Sequence, residues 1–169
     1  MSLNLSGQDG SPTLSVNDQP NYAAVEHTRH MHSGANWFFW IAGLSLINSV
    51  IALVKGGWSF LAGLGVTQVI DGLALGLSDE LGGAAVAVAL VLDLVVAGFF
   101  VGLGLYARRA LLWAFVLGMI VYALDGVLLA AFQVWLSLAF HAFALYGIYR
   151  GYAAARKLKG LAASTPGGA

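Results

Sequence analysis

Apolar residues run almost unbroken from Ala35 to Tyr149, interrupted by charge only at Lys55, Asp71, Asp79, Glu80, Asp93, Arg108, Arg109 and Asp125. The runs between these charges are of membrane-crossing length, since a bilayer core of about 30 Å takes about 20 helical residues. Ala35 to Val54 makes one span and Ala84 to Tyr106 another. The stretch from Ala110 to Tyr149 must fold into two, turning near Ala131 to Val134. The segment from Trp58 to Leu77 has span length but carries Ser59, Thr67, Gln68, Asp71 and four glycines. It either crosses or dips in and returns.

Outside these runs the chain is polar. Residues 1–33 contain Gly7, Gly10, Pro12 and Pro20 and few large apolar side chains, which predicts a disordered tail. Because the first apolar run begins only near Ala35, this tail is not a cleaved signal peptide. Residues 34–159 form the membrane bundle, and 160–169 a flexible C-terminal tail. The expected fold is therefore all-α, an integral membrane helical bundle.

Basic residues do not choose between five spans and four spans plus a re-entrant segment. Either arrangement puts seven Lys and Arg on one side, with Arg29 alone on the other in the first case and Lys55 in the second. An internal likeness favours five. Trp58-Ser-Phe60-Leu-Ala-Gly63 resembles Trp113-Ala-Phe115-Val-Leu-Gly118, and each is followed by an acid–glycine pair, Asp71-Gly72 or Asp125-Gly126. Two similar hairpins, Trp58 to Arg109 and Trp113 to Arg150, added to one leading helix, would form a parallel repeat of the kind found in some transporters. The N-terminus then lies outside and the C-terminus in the cytoplasm, in the cell membrane.

Composition sharpens the class. The chain is 59% apolar and 9% charged, with a mean hydropathy of +0.81, whereas soluble domains carry roughly 25% charged residues. Eight Lys and Arg balance eight Asp and Glu, so no basic field exists to hold nucleic acid. The absence of cysteine removes thiol, disulfide and iron–sulfur chemistry. The partner implied is the lipid bilayer, with a second copy or another membrane protein as a further one, while the glycines concentrated in the spans let the helices pack closely. No cofactor is named by any motif: Gly63-Leu-Gly65 and Gly102-Leu-Gly104 lie inside spans and read as packing glycines.

Each span nevertheless holds a strongly polar group: Asn48, then Gln68 with Asp71, then Asp93, then Asp125, then His141. Counted inward at about 1.5 Å per residue, the three acids and His141 lie about 10–15 Å deep in the outer half of the membrane. No Lys or Arg occurs from Gly56 to Tyr106 or from Ala110 to Tyr149, which leaves His141 as the one cationic partner for three carboxylates. Asp93, flanked on its own helix by Ala89, Leu90, Val96 and Ala97, must find its partner on another.

Three functions fit this pattern. The layer is interhelical glue, or it handles protons, a cation or a small polar solute, or it is the acid–base or metal site of a membrane enzyme. The last has the least support, because its ligands spread over four helices with no tight motif. Asp71 and Asp125, equivalent in the proposed repeat, are the leading pair. Before the first span, His27, His30 and His32 beside Glu26 stand at spacings that can chelate a metal on a helix, and are weaker candidates.

Overall fold

A computed structural model describes residues 19–55, 64–77 and 82–164, and among these described residues helical period and tertiary packing together form five α-helices. They are α1 (Gln19–Lys55), α2 (Gly65–Gly76), α3 (Gly83–Arg108), α4 (Leu112–Ala131) and α5 (Trp135–Ser164). Three of them, over Tyr22–Ile51, Gly83–Arg108 and Leu112–Ala131, are long and apolar enough to cross a membrane. The turn expected near 131–134 falls between α4 and α5. The segment Trp58 to Leu77 is described only from Leu64, and its helix α2 has 12 residues, about 18 Å, which is short of the about 30 Å of a hydrocarbon core. The Trp58-to-Gly63 half of the internal likeness lies outside the described residues.

Close contacts set the helix directions. Gly34 of α1 abuts Gly151 of α5, and Trp37 packs edge-on to Phe143 at 5.2 Å, so these helices run antiparallel. Asn36 accepts hydrogen bonds from Arg108 of α3 at 2.6 and 3.2 Å, while Phe38 meets Phe100 at 6.4 Å, which makes α3 antiparallel to α1 as well. Helix α4 runs alongside in the direction of α1, with Phe115 next to Phe38.

Three consecutive aromatics of α1 lock the bundle. Trp37 seats on Gly147 of α5, Phe38 on Gly118 of α4 and Phe39 on Gly104 of α3, and a Cβ at any of these glycines would fall against the ring. Apolar packing gives little net drive between helices in lipid, so close backbone approach over glycine supplies the contact area instead. The two short connections close alike. Ala110 and Gln133 take φ of 58°, and the amides that follow, Leu111 and Val134, bond back to Tyr106 and Leu129.

The polarity of the bundle is inverted relative to a soluble protein. Ser45, Asn48, Ser49, Thr67, Asp71, Asp93, Asp125, Ser137 and His141 are buried, whereas Val88, Val91, Leu94, Val95, Leu124 and Val127 are all at least 59% exposed. An apolar exterior around an interior that keeps the polar groups buried among apolar ones is what a hydrocarbon solvent selects.

Residues 19–33, expected as tail, are helical from Gln19 onward. The reason is tertiary: Met31 is 4% exposed and joins the same apolar cluster as Ala154, Ala155 and Leu158, so the polar start of α1 lies on the basic end of α5. Likewise α5 continues to Ser164, past the tail boundary expected at residue 160.

Candidate functional site

A helix that begins inside hydrocarbon exposes amides that water cannot reach. The start of α2 is buried inside the bundle, where the same shortage of water holds, and side chains of other helices answer three of its amides. Leu64 N–H donates to Ser45 Oγ of α1 at 2.9 Å; Gly65 N–H donates to Asp125 Oδ2 of α4 at 2.7 Å, and Val66 N–H to Asp125 Oδ1 at 2.8 Å. Asp125 thus caps a helix to which it does not belong, with its carboxyl oxygens at the positive end of the α2 dipole. A Cβ on Gly65 would come within 2.9 Å of the Leu129 side chain, so the close approach of α2 to α4 requires glycine.

His141 of α5 completes this cluster. Its Nε2 lies 2.8 Å from Asp125 Oδ2 and its Nδ1 lies 2.9 Å from the Ser137 carbonyl oxygen. A carbonyl only accepts, which assigns a hydrogen to Nδ1. The Nε2–Oδ2 contact then holds a second proton, carried by the ring or by the carboxyl. The Tyr122 ring stacks on the imidazole at 4.2 Å between centroids and 12° between planes, and its hydroxyl is buried without a partner among the described residues.

The other acids are elsewhere. Asp71 lies six residues beyond Gly65, about 9 Å along α2, and faces Asp93 of α3 beside Ser49 of α1. The partner expected for Asp93 from another helix is therefore a second acid and a serine. Asp71, Asp93 and Ser49 are 2%, 1% and 1% exposed, and none of the four carboxylate oxygens nor Ser49 Oγ has a hydrogen-bond partner among the described residues. The acid–histidine layer read as one depth is thus two tiers: a partnered tier of Asp125, His141 and the α2 amides, and an unpartnered tier of Asp71, Asp93 and Ser49.

The remaining candidates fall into place around these tiers. Asn48 is buried on the α1 face that carries Ser45 and Ser49. Gln68, one turn before Asp71, is half-buried, and its amide nitrogen has no partner among the described residues. Glu26 and His30 do share a face, 3.6 Å apart, with both side chains open to solvent. Among the described residues no three His, Cys, Asp or Glu side chains gather around a common point, His27, His30 and His32 included.

An opening that reaches Asp125 is an apolar groove of about 590 Å³ between Val95, Phe99 and Phe100 of α3 and Val121, Leu124 and Leu128 of α4. Its rim residues Val95 and Leu124 are each 64% exposed on the apolar outer surface of the bundle. An ion entering from water would not choose that route.

Residue types alone hid two participants. The Gly65 and Val66 amides carry no side-chain signal, and the glycine read as packing is also what lets Asp125 reach them. Ser45 and Ser49 could have been found, because Ser45, Asn48 and Ser49 repeat at helical spacing within an otherwise apolar run. No protein-family model, curated protein or solved structure matches the chain.

Proposed function

We propose that the protein is a multi-pass membrane protein that handles a proton, a cation or a small polar solute at the Asp71–Asp93 tier, with the Asp125–His141 tier holding the site together. The observation that carries this reading is the set of four buried carboxylate oxygens without a donor among the described residues. Two carboxylates cannot both stay ionised and unpartnered in a low dielectric, so the pair calls for positive charge from outside the chain. Glue is the better account of Asp125, whose oxygens already meet two amides and an imidazole.

The topology that accompanies this reading is four spans, α1, α3, α4 and α5, with α2 re-entrant from the far side. Gly34 beside Gly151 brings the start of α1 and the end of α5 to one face. Arg29, Arg108, Arg109, Arg150, Arg156, Lys157 and Lys159 then collect at that face, which the positive-inside rule makes cytoplasmic. In this arrangement Asp71 and Asp125 are not equivalent members of a repeat, since one caps the helix that carries the other. Short helices that end at the midplane and aim a terminus at charge are how many transporters build their sites.

The test is flux and binding in proteoliposomes across pH and a panel of cations. Wild type is compared with Asp71→Asn, Asp93→Asn and Asp125→Asn, each normalised to folded protein. Loss of activity in the first two, and retention of residual activity in proportion to folded protein in the third, is the expected result. Wild-type activity in both Asp71→Asn and Asp93→Asn would refute the assignment.

A further inference from the structure

The unpartnered tier also has a definite donor chemistry. Its groups are the Asp71 carboxylate on α2, the Asp93 carboxylate on α3 and the Ser49 hydroxyl on α1, all oxygen, contributed by three helices to one buried point. Imidazole is absent from it, because both nitrogens of His141 are engaged with Asp125 and Ser137. Oxygen-only sets suit hard cations and disfavour zinc and copper, which look for nitrogen or sulfur. Charge points to valence. Two carboxylates carry two negative charges, the chain supplies no Lys or Arg from Gly56 to Tyr106, and a divalent ion balances the pair where a monovalent one leaves a net charge in hydrocarbon. Ser49 is a second indicator: its hydroxyl is 1% exposed, lies beside Asp93 and has no partner at ordinary hydrogen-bond geometry among the described residues, so its oxygen can serve as a further ligand.

We infer that Asp71, Asp93 and Ser49 form a binding site for a hard divalent cation of the Mg²⁺ and Mn²⁺ class, an inference that rests on the reading of this tier as an ion site. Magnesium-type ions are commonly held by one or two carboxylates while keeping several waters, so two protein carboxylates and a hydroxyl are an adequate set. Because Asp71 rides on α2, the ion joins the half-helix to α1 and α3. Ion binding and the placement of α2 are therefore one equilibrium.

The experiment uses the full chain, purified in detergent with chelator and titrated with Mn²⁺, Mg²⁺, Ca²⁺, Zn²⁺ or Na⁺. Binding is read by thermal unfolding and by the Mn²⁺ paramagnetic resonance signal. Wild type should be stabilised by Mn²⁺ and Mg²⁺ in a saturable way, and should immobilise one Mn²⁺ per chain. Asp71→Asn and Asp93→Asn should lose this binding, and Ser49→Ala should weaken it about tenfold. A variant with His27, His30 and His32 all replaced by Ala should bind as wild type does. Size-exclusion elution and helical content identify variants that have not folded, and Ser49→Ala, the mildest change, keeps the test open if both Asn variants fail. No divalent effect on wild type, binding unchanged in the folded Asp variants, or binding lost with the three histidines would each overturn the inference. Stabilisation by Na⁺ alone, or by acid alone with no metal effect, would overturn it too while leaving the ion-handling reading of the tier standing. A wild type that answers to no cation and no pH change, and shows no flux, would remove both.

Discussion

Removing the Asp125 carboxylate should release α2 from the bundle. In Asp125→Ala three groups lose their partner at once: Gly65 N–H, Val66 N–H and His141 Nε2. A buried polar group left unsatisfied costs about 1–3 kcal/mol, so the variant should lose at least about 3 kcal/mol, against about 0.6 for an average interhelical hydrogen bond in a membrane protein. Asp125→Asn differs in kind. Its carbonyl oxygen can keep the Val66 amide, and its NH₂ can donate to Nε2 of a neutral His141 whose Nδ1–H stays on Ser137. Only the Gly65 amide and the charge at the α2 N-terminus are lost, for about 1–2 kcal/mol. The chain lacks cysteine, so Thr67→Cys, at a fully buried position on the first turn of α2, reports the release directly. Thiol labelling should be slow in the parent, faster with Asp125→Asn and fast with Asp125→Ala, in step with unfolding measured in mixed micelles. If Asp125→Ala unfolds within about 0.5 kcal/mol of the parent and leaves the introduced thiol protected, Asp125 does not hold α2.

Four further outcomes follow from the same geometry. Gly118→Ala puts a methyl group into the Phe38 ring and should destabilise by about 1–3 kcal/mol, while Gly98→Ala, with open space at its Cβ, should be neutral or stabilising; thermal unfolding compares them. Single cysteines introduced in place of Tyr22 and of Lys159 should label with an impermeant reagent from the same side of an oriented membrane, and labelling from opposite sides would restore five spans. Ala110→Gly and Gln133→Gly relieve a left-handed backbone at two turns and should each add about 1 kcal/mol of stability by the same unfolding assay. In chelator, Asp93→Asn should be at least as stable as wild type, because it removes one of two facing carboxylates that nothing in the described residues neutralises; a clear loss would mean that the pair is structural.

The all-helical class, the long apolar helices over 83–108 and 112–131, the turn near 131–134 and the polar residues within the apolar runs were all legible in the sequence. Each depends on hydropathy and on the rise of a helix, which are local properties. The need for outside compensation was legible too, from three span acids against one histidine. Which acid His141 would take was not, because partner choice depends on how each helix is rotated and where it crosses its neighbours. That is set by Trp37, Phe38 and Phe39 seating on glycines of three other helices. Nor could a list of residue types show that α2 starts in the interior and turns its amides toward Asp125, since every residue but proline carries the same amide. The polar first part of α1 misled for a related reason: its own composition favours no fold, and the contact of Met31 with the end of α5, more than a hundred residues away, makes it a helix. Sequence alone determined which polar groups lie within apolar runs of membrane-crossing length. Tertiary structure decided which of them satisfy one another, and left Asp71, Asp93 and Ser49 facing each other, because two ionised carboxylates both accept and neither donates unless a proton or another cation is brought to them.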